Sequence, residues 1–206
     1  MADLNYERQW PDLLVAGVDE VGRGALAGPV FAAAVILPLD FEETAPDLLN
    51  RIADSKTLTA KRRQKIYFEL MEMGVMASLG AASCAEIEKY NIYHATMGAM
   101  QRAVWGLPEK PGMVLVDGDH TPYLPGMLAK SIVGGDKVCA SISAASIIAK
   151  VVRDFLMAKL GERYPGYGWE RNAGYGTKAH YQGICDVGIT RHHRRGFNLS
   201  GNGWNR

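Results

Sequence analysis

The chain has few of the features that mark secreted, fibrous or membrane proteins. Its 206 residues include three cysteines, Cys84, Cys139 and Cys185, an odd number, far apart and with no C-x-x-C pair. That pattern excludes a disulfide framework and offers no zinc signature, so reduced intracellular thiols are expected. Long apolar runs are also missing. The longest, Val30 to Leu37, falls far short of the roughly 20 residues a membrane-crossing helix needs. The N-terminus "MADLNYERQW" lacks a basic segment followed by an apolar core, so no export signal is expected and the protein is read as cytoplasmic. Internal repeats and low-complexity linkers are absent too, which leaves one main domain as the default, and a monomer.

Net charge is nearly absent at +1, but its distribution is uneven. Residues 1–149 carry 13 Lys/Arg against 18 Asp/Glu, a balance of −5, whereas residues 150–206 carry 10 against 4, a balance of +6. An acidic part beside a basic part fits a metal-binding centre next to a surface that follows a phosphate backbone.

Apolar runs alternate with helical periodicity. Leu13 to Val18, Val30 to Leu37, Val75 to Ala82 and Met113 to Val116 read as strands. Thr59 to Met73 reads as a helix capped by Thr59, Ile92 to Trp105 as a helix ending at Gly106 and Pro108, and Lys178 to Asp186 as a helix capped by Thr177. Val138 to Leu160 forms a long helical candidate dense in small residues, which predicts close packing on a sheet. The first half is therefore mixed α/β.

Four acids fall at informative points on this scaffold. Asp19 and Glu20 end the first strand within "DEVGRG", Asp117 ends the strand "MVLV", and Asp136 follows Gly134 and Gly135. Carboxylates gathered at strand ends repel one another unless a divalent cation neutralises them, and oxygen-only ligands suit hard cations that handle phosphodiesters. Adjacent strand residues point to opposite faces, so Asp19 and Glu20 share a site only if the chain bends or one supplies a backbone carbonyl. Asp119 competes with Asp117, but Gly118 favours a turn after Asp117. Asp154 is assigned a surface ion pair with Lys150 one helical turn earlier, and Asp54 is set aside. His192, His193, Arg194 and Arg195 read as a solvated or phosphate-facing segment, and His94 and His180 as structural.

The ordered set "VDEVGRGALAGPV" (Val18 to Val30), "DSKTL" (Asp54 to Leu58), "VDG" (Val116 to Gly118), "GGD" (Gly134 to Asp136), "SAASIIAKVVRD" (Ser143 to Asp154) and "GYGT" (Gly174 to Thr177) resembles bacterial ribonuclease HII over nearly the whole chain. The resemblance implies a ribonuclease H-like fold, a central mixed β-sheet flanked by helices. It makes residues 1–206 one catalytic domain, with a C-terminal helical extension from about 165 that holds substrate. It also implies an endonuclease using Mg²⁺ or Mn²⁺ bound by Asp19, Glu20, Asp117 and Asp136. The implied partners are RNA/DNA hybrids and ribonucleotide-containing duplex DNA, cut 5′ of the ribonucleotide to leave a 3′-hydroxyl and a 5′-phosphate. One cation would activate water while a second, about 4 Å away, stabilises the leaving oxygen.

Gly22, Arg23 and Gly24 match the family's loop that senses the 2′-hydroxyl, with a surface ion pair as the alternative for Arg23, and Tyr175 matches its aromatic reader of the neighbouring sugar, with a buried core tyrosine as the alternative. Ser55 and Lys56 are phosphate contacts or an ordinary polar turn. The chain departs from the family at Ala173, where a Lys is frequent. A hybrid-binding module without catalysis is the competing reading, which retention of all four acids opposes. A nucleotide-phosphate loop at Gly22, Gly24 and Gly28 lacks the required following Lys and Ser/Thr.

Overall fold

The structure is a computed structural model that describes residues 2–53 and 58–200. In chain order its elements are β1 (Val15–Val21), β2 (Val30–Ile36), α1 (Phe41–Thr44), α2 (Pro46–Ala53), α3 (Ala60–Glu72), β3 (Met76–Ala82), α4 (Cys84–Trp105), β4 (Met113–Asp117), β5 (Leu128–Ile132), α5 (Ala140–Arg163), α6 (Trp169–Asn172) and α7 (Lys178–Val187). The strands form one sheet in the order β3-β2-β1-β4-β5. β1 is antiparallel to β2 and parallel to β4, and β4 is parallel to β5. The mixed sheet flanked by helices agrees with the architecture implied by the sequence.

Both faces of the sheet are covered, which is why the central strands read as continuous apolar runs rather than alternating ones. On one face Ala33 and Val35 meet α2, α3 and α5 through Ile52, Ile66, Leu70, Ala144 and Ile148. On the other, Val18, Ala32, Ala34 and Val116 meet α4 through Ala95, Ala99, Met100 and Ala103. Each large aliphatic side chain buried here contributes about 1.5–3 kcal/mol. The small residues of α5 allow close approach to β1, and Gly17 completes it: a Cβ at that position would lie 2.2 Å from the Ser141 carbonyl carbon. The sheet-packing role expected of the Ser- and Ala-rich helix is therefore observed.

Helix starts follow local chemistry. Thr59 accepts from the Arg62 amide and Thr177 from the His180 amide, as their positions in the sequence predict. Ser83 and Glu86 form a capping box at α4. That helix breaks at Asn91 (φ 64°, ψ 168°), whose side chain accepts from the His94 amide. Its second segment thus starts at Ile92, where the apolar periodicity begins. α5 lacks a local side-chain cap. Glu7, fully buried, reaches across the fold to accept from the Ser141 amide at 2.8 Å.

Three expectations require correction. β1 runs to Val21 rather than stopping at Val18, because pairing with β2 continues through Val21 and Phe31. Asp19 and Glu20 consequently lie inside the strand. β5 and the short helices α1, α2 and α6 gave no signal, and α5 begins at Ala140 and extends to Arg163. Cys84, Cys139 and Cys185 are free. Among the described residues no helix is long and apolar enough to cross a membrane.

Candidate active site

Parallel pairing of β1 with β4 sets Val18 opposite Val116, so the next residues on the two strands are Asp19 and Asp117. Asp19 is 6% exposed. Its Oδ1 accepts from the Glu20 amide at 2.7 Å, so the carboxylate curls back along an unbroken strand instead of relying on a bend. Burial pushes the Asp19 carboxyl well above the usual carboxylate range. The charge of Glu20 raises it further, a hydrogen bond from Ser146 opposes the rise, and the charge of Asp117 adds to it. Glu20 is also raised, first by burial, with Arg23 opposing and Asp117 reinforcing the shift. The charges of Glu20 and Asp117 therefore reach Asp19, and that of Asp117 reaches Glu20.

Asp117 Oδ1 accepts from the Gly135 amide at 2.6 Å, which ties the end of β4 to the turn holding Asp136. That residue sits in a short 3-10 turn, Gly135–Lys137, and is 7% exposed. Asp136 and Glu20 line one cleft of about 160 Å³ together with Val21, Arg63, Ser146 and Lys150. β4 stops at Asp117, and Asp119 turns to solvent beside His120 at 2.7 Å. The choice of Asp117 over Asp119 agrees with this geometry.

Arg23 projects from the glycine loop with its side chain 51% exposed, paired with Glu20 at 3.2 Å. Gly22 adopts φ +91°, and a Cβ there would lie 2.2 Å from Arg153 Nε, so only glycine fits this point. Gly24 is open to solvent. Tyr175 is half-buried, with the Lys150 ammonium 5.8 Å and the Arg153 guanidinium 5.5 Å from its ring centroid. It lines a second cleft, about 470 Å³, shared with Arg63, Lys150, Phe155 and Trp169. Arg63 and Lys150 line both clefts and so join the acids to Tyr175 by a basic path. Ser55 and Lys56 lie outside the described residues.

Sequence reasoning missed Ser146, Arg63, Arg153 and the second role of Lys150. The Lys150–Asp154 pair exists at 2.7 Å, but the same Lys also faces both clefts. The basic run near the C-terminus needs correction as well: His193 and Arg194 are 2% and 1% exposed, not solvated. Arg194 donates to the Gly28 and Arg23 carbonyls at 2.9 Å. His193 lies against Tyr167 and Trp169, with Nε2 3.2 Å from His180 Nε2. His180 is buried and accepts from Trp169 Nε1 at 3.0 Å, the structural role expected of it.

The donor set suits a hard cation. All four candidates offer oxygen, and the crowding of Asp19 by Glu20 and Asp117 is the repulsion a divalent ion relieves. Among the described residues no group of three or more Asp, Glu, His or Cys side chains is placed so that it could hold a metal ion. Asp19 and Asp117 each engage a backbone amide and Glu20 engages Arg23, while a carboxylate has lone pairs for more than one partner.

The family model for Ribonuclease HII matches residues 16–200. A ribonuclease HII from Granulibacter bethesdensis is 56% identical over 97% of this chain and 90% of its own length. Among solved structures, ribonuclease H2 from Pyrococcus horikoshii OT3 aligns with a TM-score of 0.76 at 25% identity, covering 90% of this chain and 94% of that one. Bst-RNase HIII in complex with Mn²⁺ aligns at 0.69 and 20% identity, over 91% of this chain and 68% of that one, a likeness of fold. With its sequence matched nearly end to end and its mixed sheet shared, this chain belongs to the ribonuclease HII family, metal-dependent hydrolases with ribonuclease H activity on RNA/DNA hybrids.

Proposed function

We propose that the protein cuts the RNA strand of RNA/DNA hybrids and also incises 5′ of ribonucleotides embedded in duplex DNA, leaving a 3′-hydroxyl and a 5′-phosphate. Asp19, Glu20, Asp117 and Asp136 hold two Mg²⁺ or Mn²⁺ ions in this reading. The observation that carries it is the placement of Asp19 and Asp117 one step beyond the paired Val18 and Val116, with Glu20 alongside, the charges of Glu20 and Asp117 raising the buried Asp19 carboxyl, beside the exposed Arg23 loop. When bound, such cations supply an acidified water and neutralise charge on the phosphodiester.

The chain's own groups do the rest. Burial and the charges of Glu20 and Asp117 raise the Asp19 carboxyl, a crowding that a bound cation would relieve. Arg23 leaves Glu20 for the substrate, and the Gly22–Arg23–Gly24 backbone approaches the 2′-hydroxyl without steric hindrance. Tyr175 stacks on the adjacent sugar, while Arg63 and Lys150 neutralise phosphates along the path joining the clefts. Ser55 and Lys56 add phosphate contacts. The extension from about residue 165 grips the duplex.

An end-labelled DNA duplex carrying one ribonucleotide, incubated with Mg²⁺ or Mn²⁺, tests the proposal. One incision 5′ of the ribonucleotide is expected, silenced by chelator. Retardation on a gel with the strand intact would instead make the protein a binding module.

A further inference from the structure

Arg153 is fully buried and Arg194 is 1% exposed, and among the described residues neither forms an ion pair with a carboxylate. Burial alone is unfavourable for a guanidinium. It lowers the pKa of both, that of Arg194 to about 10 with the charge of Arg153 contributing. Among the described residues Arg194 even retains a buried Nη2 without a hydrogen-bond partner. Apolar side chains of similar volume would fill the same space without desolvating a charge, so filling space does not by itself account for two cations here.

Their partners do. Arg153 donates through Nε to the Pro29 carbonyl at 3.0 Å, through Nη2 to Ala27 at 3.1 Å and through Nη1 to Ala173 at 2.8 Å. The first two belong to the loop that begins at Gly22, and the third immediately precedes Gly174 and Tyr175. The same guanidinium lies under Gly22 and 5.5 Å from the Tyr175 ring. Arg194 holds the Arg23 and Gly28 carbonyls, and its own amide donates to Leu26 at 2.9 Å. Loop and turn are also joined directly, Leu26 donating to Gly174 at 2.8 Å.

The geometry points to Arg153 and Arg194 as positioning residues that fix the span between the Arg23 loop and Tyr175, and thereby set how sharply a lone ribonucleotide is distinguished from a continuous hybrid. The inference rests on the proposed roles of that loop and that tyrosine. Its physical basis is register. A continuous RNA strand offers a 2′-hydroxyl at every step, so a slack span still finds one. A single embedded ribonucleotide offers one register only, and a displaced reader misses it.

Arg153→Lys tests this, because an ammonium keeps the charge but cannot reach three carbonyls as the planar fork does. kcat and KM are measured on a duplex with one ribonucleotide and on a continuous hybrid, each normalised to folded protein by circular dichroism. On the single-ribonucleotide duplex kcat should fall about tenfold to a hundredfold, the range for a reader displaced by about 1 Å, with KM little changed and the hybrid affected less. In a Tyr175→Ala background the same substitution should no longer alter the ratio between the two substrates. Arg194→Lys should shift that ratio in the same direction, which keeps the idea testable if the Arg153 variant does not fold. Parallel losses on both substrates, or effects that multiply in the double variant, would overturn it. A wild-type enzyme that cuts hybrids but ignores the embedded ribonucleotide would instead remove the proposed specificity, and this inference with it.

Discussion

Replacing Asp19 with asparagine removes one negative charge from a crowded, desolvated site while preserving shape. Oδ1 can still accept from the Glu20 amide, the bond now 2.7 Å long. Because Asp19 is 6% exposed and faces the charges of Glu20 and Asp117, the metal-free variant should be more stable than the wild type. Relief of strain at a functional site commonly contributes about 0.5–2 kcal/mol, and at this chain length about 1 kcal/mol corresponds to roughly 2–4 °C in Tm. The wild type regains stability from Mg²⁺, about 1.4 kcal/mol at ten times its Kd, whereas the variant regains little, so the melting order reverses on adding metal. The folded pKa of Asp19 is raised, so its contribution is fully present below the unfolded value near 4 and is lost as pH rises through the folded value. The gain in the metal-free variant should therefore grow from acid toward neutral pH. Thermal melts in chelator and in Mg²⁺ across that range, beside cleavage assays, check each part. Cleavage should fall at least about a thousandfold. A variant less stable in chelator, or one with an undiminished Mg²⁺ response, refutes the assigned role.

Tyr175→Ala should slow cutting at single ribonucleotides more than it weakens duplex binding, by about tenfold; equal losses would assign Tyr175 to packing. His193, 2% exposed and held by burial at a pKa of about 4, contributes stability that is present above its unfolded pKa near 6.5 and is lost as pH falls toward 4. That amounts to roughly 3 kcal/mol across the window. Urea midpoints at neutral and acid pH should show it, with His193→Gln reducing the difference. Glu7→Ala removes the remote cap of α5 and should cost about 1–2 kcal/mol while sparing the activity of the folded fraction, as melting and specific activity together will tell.

Much of the scaffold was legible because its signals are local. Thr59 and Thr177 cap the helices they precede, and strands buried on both faces, such as β2 and β4, appear as apolar runs. The candidate acids stood out for a related reason, since carboxylates directly after such runs are costly without a purpose. Other features depend on partners distant in sequence. β5 left no trace because Leu128, Ala129 and Lys130 are exposed on the sheet edge. The end of β1 was misjudged because Asp19, Glu20 and Val21 are held by pairing with β2 rather than by apolar character. The burial of Arg194 could not be read from "RHHRRG", whose composition suggests a solvated stretch, since the carbonyls that satisfy its fork lie more than 160 residues earlier. Ser146 was hidden in the same way among small residues whose visible role is packing.

The most direct measurement is anomalous diffraction from the enzyme bound to a cleavage-resistant duplex containing one ribonucleotide, with Mn²⁺ in the crystal. The account predicts two peaks beside the scissile phosphate, with Asp19, Glu20, Asp117 and Asp136 each touching at least one of them. A single peak, or peaks held by other residues, would contradict it.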